Sequence, residues 1–267
     1  YPVGDHPIFI TAADLNGDGD TDLAIASAGG YTVTVLRNNG DGTFAMGDVY
    51  PTGVIPNSVA VADLNGDGNK DLAVTNNISN SVSVLRNNGD GTFATKVDHP
   101  VGRSPTFVVA ADLNGDGKTD LAVTTEDDTV CVLRSNGDGT FATKVDYATT
   151  GNSYSVAAAD LNGDGKVDLA VANTNDNSVS VLFNTGNRTF ADKMDYVMGD
   201  SPWSVAADDL NGDRKNDLVV TNWNSTTVTV LLNAGNGTFP TKVNYTTGDS
   251  PNSVAAADLN GDGNKDL

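Results

Sequence analysis

The sequence predicts an all-β chain, a β-propeller of four-stranded antiparallel blades, and three observations predict it. An acidic, glycine-punctuated decapeptide of the type DLNGDGNKDL recurs with its first aspartate at Asp14, Asp63, Asp112, Asp160, Asp209 and Asp258, so the intervals are 49, 49, 48, 49 and 49 residues. Each period holds four short runs with strand character, and nothing in the 267 residues has a helical period. A fixed period of this length with four strands per unit describes propeller blades.

The unit running from residue 55 to 100 justifies the elements in order. SVAVADL (58–64) is small and apolar on both faces, which suits an inner strand crowded by neighbours. DLAVTN (71–76) is a short second strand, SVSVLRN (81–87) alternates as a third, and FATKVDHP (93–100) is a more polar outer strand with charge suited to an edge. Gly-rich turns join third to fourth strands at 38–44, 87–93, 135–141, 184–190 and 233–239. In the last two, Asn187 and Asn236 replace Asp, so charge is dispensable and the turns read as hairpins with a buried Phe anchor. The units span about 7–50, 55–99, 105–147, 153–196 and 202–245, with a partial sixth at 251–267, in one array without a linker.

Charge singles out the decapeptide. Of the 35 acidic residues, three in each of the six copies stand at its first, fifth and ninth places, and the remainder nearly balance the 15 Lys and Arg within a net charge of −20. Clustered carboxylates repel unless something positive sits among them, and six divalent cations would bring −20 to −8. In D-x-N-x-D-G-x-x-D the donors are side-chain oxygens at places 1, 3, 5 and 9 and a main-chain carbonyl at place 7, without His or Cys, which suits calcium. An EF-hand shares the first half, but place 12 here is apolar (Ile25, Val74) and the flanks are not helical. The alternative is a set of Asn-Gly and Asp-Gly turns that bind no metal. In the fifth copy Arg214 replaces the place-6 glycine, so either a non-glycine residue takes a left-handed conformation or the loop changes shape, and the weakest site is expected there.

The pairing of DLNGDGxxDL with a downstream NGDGTF turn resembles the FG-GAP or VCBS-type repeat, the blade of integrin-α-like propellers and of fungal and bacterial propeller lectins, over essentially the full chain. The resemblance implies that the loop joins the first two strands of each blade and holds calcium, up to six ions in all. Its side-chain ligands carry over onto Asp14, Asn16, Asp18 and Asp22; Asp63, Asn65, Asp67 and Asp71; Asp112, Asn114, Asp116 and Asp120; Asp160, Asn162, Asp164 and Asp168; Asp209, Asn211, Asp213 and Asp217; and Asp258, Asn260, Asp262 and Asp266. Asp20, Asn69, Lys118, Lys166, Lys215 and Asn264 give only backbone carbonyls. Family members mostly close as seven blades, so the five units and a half are expected to belong to a six- or seven-bladed ring, or to be completed by another chain. The start in mid-repeat, without a secretory signal, makes Tyr1 a processed or truncated start.

Function must come from what varies over this frame. The variable stretches are the loop leading into strand one and the loop joining strands two and three, on the face opposite the calcium loops. They carry Tyr31 and Tyr154, and both tryptophans, Trp203 and Trp223, fall on that face of one blade. Flat aromatics beside Asn, Asp and Ser suit a sugar ring or a protein partner, and packing within the blade is the competing reading. His6 and His99 lie between units without a serine or cysteine arrangement, so the chain is read as no enzyme. Cys131 reads as a small strand residue. Acidity argues against nucleic acid, and no apolar run reaches the roughly 20 residues of a membrane span. The leading expectation is a secreted, calcium-binding recognition module, a lectin or adhesin acting at the cell surface or beyond it on a glycan or extracellular protein. The others are a structural array that self-associates through the sixth unit, and an accessory domain of an extracellular enzyme.

Overall fold

The computed structural model describes residues 1–267 and is all-β, without helices. Five four-stranded antiparallel sheets follow the five full units. The first is β1 (Pro7–Ala13), β2 (Asp22–Ser27), β3 (Thr32–Leu36) and β4 (Asp48–Pro51); the second is β5 (Pro56–Ala62), β6 (Asp71–Asn76), β7 (Ser81–Leu85) and β8 (Val97–Pro100). The third is β9 (Phe107–Ala111), β10 (Asp120–Thr125), β11 (Thr129–Leu133) and β12 (Val145–Ala148); the fourth is β13 (Ser153–Ala159), β14 (Asp168–Asn173), β15 (Ser178–Leu182) and β16 (Met194–Val197). The fifth is β17 (Pro202–Asp208), β18 (Asp217–Asn222), β19 (Thr227–Leu232) and β20 (Thr241–Thr246). Within each sheet the strands lie side by side in chain order. Contacts gather the chain into two compact units, one of Tyr1–Ala110, Gly117–Asp127 and Cys131–Asp146, the other of Ala111–Asp116, Asp128–Val130 and Tyr147–Leu267.

The second strand of a sheet is its most enclosed element, because its small and branched residues face packing on both sides. Every residue of β6, β10, β14 and β18 is buried. In the first unit, Ala24, Val33 and Val35 pack with Val59, Leu72, Val74 and Leu85. In the second, Ala170, Val179 and Val181 pack with Val205, Leu218, Val220 and Leu231. Each fully buried Leu or Val contributes about 1.5–3 kcal/mol relative to exposure.

A second device repeats with the period. Tyr50 meets Phe93, His99 meets Phe141, Tyr147 meets Phe190 and Tyr196 meets Phe239, each edge-to-face with centroids 5.1 to 5.4 Å apart. The Phe is the anchor of the next repeat's Gly-rich turn, so the turn is pinned to the sheet before it. Tyr196 also donates its hydroxyl to the Gly237 carbonyl at 3.0 Å.

Two expectations need adjusting. The fourth strand is half as long as FATKVDHP suggests: β8 starts at Val97, and Phe93 instead forms an isolated bridge to Asn87. The chain crosses over there through Asn88 N–H to Thr92 O and Ala94 N–H to Arg86 O, which extends the turn and delays the strand. Residues 251–267 form no strand, only an isolated bridge between Ala257 and Asp266.

Candidate metal centres and the opposite face

The decapeptide loops join the first two strands of each sheet. In the first, Ala13 pairs with Asp22 across β1 and β2, which leaves residues 14–21 as the loop between them. Its shape comes from side-chain oxygens taking backbone N–H groups. Asp14 accepts Gly17 N–H on Oδ1 at 2.7 Å and Gly19 N–H on Oδ2 at 3.0 Å; Asn16 Oδ1 accepts Asp18 N–H, and Asp18 Oδ1 accepts Asp20 N–H. Asn16 Nδ2 donates to Asp18 Oδ2 at 2.7 Å, drawing places 3 and 5 together. The second, fourth and sixth loops repeat the carboxylate cradle around Asp63, Asp160 and Asp258. The place-6 glycine has a positive φ, 90° at Gly19.

The fifth loop resolves the question posed by Arg214. Arg214 takes φ 65°, and its N–H reaches Asp209 Oδ2 at 2.7 Å, so the loop keeps its shape and the arginine bears the strain, about 1 kcal/mol.

Place 9 is different in kind. Asp168 is fully buried; its Oδ2 accepts Leu161 N–H at 3.0 Å and its Oδ1 accepts Asn184 N–H at 2.7 Å. Asp22, Asp71 and Asp217 make the same two bonds. Burial, then the charges of Asp164 and Asp160 acting against these N–H donors, pushes Asp168 up to about 6, and burial raises Asp71 and Asp217 likewise. At the exposed end, backbone N–H groups hold Asp67 and Asp258 below the usual carboxylate range. Lys166 lowers Asp164, its ammonium 2.6 Å from Asp164 Oδ2, and Lys215 lies 3.2 Å from Asp213 Oδ2.

The donor set fits a hard divalent cation. All its side-chain donors are oxygens, place 5 attracts an ammonium in two loops, and place 9 is burdened by its neighbours' negative charge. No three acidic side chains converge on one point as the loops stand; the oxygens of Asp14 and Asp168 hold backbone N–H groups, Asp18 Oδ2 holds an amide and Asp164 Oδ2 an ammonium, and each retains a second lone pair.

In the Gly-rich turns the Asp serves as a hydrogen-bond acceptor within the turn. Asp41, Asp90 and Asp138 accept the N–H and hydroxyl of Thr43, Thr92 and Thr140, and Asn236 accepts both from Thr238, so the uncharged residue does the same work. Sequence reasoning missed the turn's first residue. Asn184 Nδ2 donates to Leu113 O, 2.8 Å away in the preceding loop, and to Val167 O at 3.0 Å, while Asn184 Oδ1 accepts Gly186 N–H. Asn87 reaches Leu15 O and Asn233 reaches Leu161 O in the same way; Ser135 reaches Leu64 O at 3.4 Å. The asparagine that recurs at this place in four of the five turns, with Ser135 in the other, was the available signal.

At the far end of the sheets, Tyr154, Trp203 and Trp223 come together. Trp203 stacks on Tyr154 with centroids 3.7 Å apart and planes tilted by 34°, and on Trp223 at 5.1 Å and 33°. Trp203 is therefore the middle ring, as the packing alternative anticipated, and the outer rings are Tyr154 and Trp223. Tyr31 stands 46% exposed at φ 54° in the turn between β2 and β3 and joins no ring pair.

Residues 14–74, 63–123, 112–171, 160–220 and 209–267 match the FG-GAP-like repeat. None of the curated proteins matches the sequence. Among solved structures, the fold is similar to an Agrocybe aegerita lectin described as recognising non-reducing terminal N-acetylglucosamine, at 22% identity and TM-score 0.58, covering 88% of this chain and 65% of that one. The chain therefore spans less than two thirds of the lectin. It is also similar to BBS1N from a complex with ARL6DN, at 15% identity and TM-score 0.65 over 96% of this chain and 71% of that one. A functionally unknown protein of Desulfotomaculum acetoxidans gives 13% and 0.66, over 91% and 71%. At these identities the likeness is one of fold. With matches running from residue 14 to residue 267 and a four-stranded sheet in every full unit, the chain belongs to the FG-GAP-like repeat family.

Proposed function

We propose that this chain is a calcium-stabilised recognition module that works outside the cell, as a lectin or an adhesin. The observation that carries the proposal is the fourth loop, where Asp160, Asn162 and Asp164 line an oxygen-only turn above Asp168, whose carboxyl burial and like charges push up to about 6. A doubly positive ion relieves that repulsion, and an all-oxygen set selects calcium. In each of the six loops, places 1, 3, 5 and 9 would supply side-chain oxygens and place 7 its carbonyl, with the loop of Arg214 the weakest. Sites of this kind in extracellular modules have dissociation constants on the order of 0.1 to 1 mM, which places the protein where calcium is abundant. Recognition, of a glycan or an extracellular protein, falls to the variable loops; the similar fold of an N-acetylglucosamine-recognising lectin is consistent with a glycan. We read the chain as a binder rather than an enzyme, since Cys131 is buried with its thiol pushed up to about 12, and His99 packs edge-on against Phe141.

Thermal melts in 10 mM calcium, 10 mM magnesium and excess chelator test this. A site with a dissociation constant of about 1 mM adds roughly 1.4 kcal/mol at about 10 mM ion, so several sites raise Tm by more than about 10 °C over chelator. Superimposable melts in calcium and chelator overturn the proposal.

A second reading, self-association through the sixth unit, has its own observation. Tyr245 continues the series Tyr50, Tyr147, Tyr196 but has no phenylalanine; it is 54% exposed and borders a cavity of about 460 Å³ with Val228, Val254 and Leu267. Light scattering checks it: a concentration-dependent mass that Tyr245→Asp abolishes supports this reading, and a constant monomer mass removes it.

A further inference from the structure

We infer that Tyr154, Trp203 and Trp223 form a stacking site for a neutral pyranose carbohydrate; the inference rests on the recognition reading above and gives it a location and a ligand class. The fold does not require these rings. Where the fourth and fifth units have Tyr154 and Trp203, the others have Ile8, Asn57, Thr106 and Asn252, and where the fifth has Trp223 the first four have Ala28, Asn77, Glu126 and Thr174. The sheets form with either set of residues. Three large aromatics gathered at positions that four other units fill with smaller side chains therefore call for a reason outside the sheet.

The geometry supplies one. Pro202 pairs with Asn222 at one end of the β17–β18 hairpin and Asp208 with Asp217 at the other, so Trp203 and Trp223 flank the end away from the metal loop. Tyr154 reaches Trp203 from the neighbouring sheet to complete a slab that all three half-buried rings share. Neither indole N–H is sealed from water, and neither has a protein acceptor, so both are available as donors beside an apolar surface. The apolar C–H face of a pyranose lies flat on such a ring while its hydroxyls need donors and acceptors at the rim. The rim is built for hydroxyls: Asn224 Nδ2 donates to Ser201 Oγ at 2.8 Å, and the same loops carry Asn175, Asp176 and Asp200. Residues 148–155, 174–178, 198–204 and 223–227 contain no Lys or Arg. These loops offer a phosphate, sulfate or uronate carboxylates and no cation of their own, and Lys242, which reaches Val197 O beside them, is already hydrogen-bonded, so the ligand is an uncharged sugar.

The chain's only two tryptophans are both in the slab, so intrinsic fluorescence reports on this site alone. Calcium-loaded protein is titrated with chitotriose, cellotriose, mannotriose and, as the anionic arm, trigalacturonate, with a glycan array run in parallel. A saturable change in tryptophan emission with a neutral trisaccharide and none with trigalacturonate is the expected result. Tyr154→Asn and Trp223→Asn, which install the residue types the second unit has at Asn57 and Asn77, should weaken that binding about tenfold, since a stacked aromatic is worth roughly that factor. If either variant melts below wild type, the readout becomes protection of wild-type tryptophan from N-bromosuccinimide by the bound sugar, with Trp223→Phe retaining affinity. Glycan binding that leaves emission and both variants unaffected overturns the slab and leaves the recognition reading standing. Preference for trigalacturonate overturns the ligand class. No carbohydrate bound by array or titration overturns the inference and the lectin form of the reading together, whatever calcium does to the melt.

Discussion

Replacing Asn184 by Ala should cost about 3 kcal/mol, although the residue touches neither a ring nor a loop carboxylate through its side chain. Asn184 is 4% exposed, and its amide makes three bonds: Nδ2 to Leu113 O at 2.8 Å and to Val167 O at 3.0 Å, and Oδ1 from Gly186 N–H at 2.9 Å. Alanine removes all three bonds in a buried setting, and a net loss of about 0.5–1.5 kcal/mol per bond sums to roughly 3 kcal/mol. The third unit provides an internal control. Ser135 occupies the same place, takes Gly137 N–H at 3.0 Å and reaches Leu64 O at 3.4 Å, so a hydroxyl recovers part of the set. Asn184→Ser should therefore cost about 1 kcal/mol. Guanidinium titrations followed by tryptophan fluorescence and far-UV circular dichroism measure both, and the Ala variant should also melt about 6–12 °C lower. An Ala variant within about 0.5 kcal/mol of wild type, or a Ser variant as damaged as Ala, refutes the accounting.

Arg214→Gly should stabilise the protein in chelator by up to about 0.5 kcal/mol, because the roughly 1 kcal/mol of strain relieved by removing the Cβ at φ 65° exceeds what the glycine adds in unfolded-chain entropy; a lower denaturation midpoint counts against the loop geometry. The Cys131 thiol, pushed up to about 12 by burial and then by its hydrogen bond to Asp146, should resist iodoacetamide at pH 8 in the native protein and react fully in guanidinium. Rapid native labelling, read by mass spectrometry, would mean that β11 is not enclosed as described.

Period and charge spacing made the main features legible. The decapeptide lies between the first and second strands, β6 matches DLAVTN residue for residue, and no helix forms. The first strand begins two residues earlier than SVAVADL, since β5 starts at Pro56 and stops at Ala62 just before the turn that Asp63 organises. Harder to read was anything that joins one repeat to another. The bond from Asn184 to Leu113 links residues 71 apart, and neither residue looks unusual beside its neighbours in the chain. The contact of Tyr154 with Trp203 was likewise hidden, because periodicity puts both at equivalent places in different sheets and says nothing of the gap between them.

The single short interval shows how metal loop, hairpin and variable face divide the work. Across the fourth and fifth repeats a continuous set of hydrogen bonds runs from Asn184 N–H to Asp168, from Asp168 to Leu161 N–H, from Leu161 O to Asn233, and from Asn233 N–H to Asp217. Leu15, Leu64 and Leu161 each give their N–H to their own place-9 carboxylate and their carbonyl to the next repeat's turn, so the motif is a joint between repeats as well as the proposed cradle for an ion. Charged acceptors at every second step strengthen the bonds on either side. A cation bound in one loop would draw on the same carboxylate that fixes the neighbouring turn, and so would bear on two sheets at once. This end of the repeat cannot slip. From place-9 Asp to the turn's first residue the spacing is 16 at Asp71, Asp168 and Asp217 but 15 at Asp120, yet Ser135 N–H still reaches Asp120 Oδ1 at 2.7 Å. The missing residue has been absorbed in the turn between β10 and β11, at the far end of the sheet. Length and side chains change at the far end instead, where repeats are joined by bonds such as Thr174 Oγ1 to Pro202 O at 3.0 Å and Ser201 N–H to Asn177 Oδ1 at 2.8 Å, and that is the end that carries Tyr154, Trp203 and Trp223.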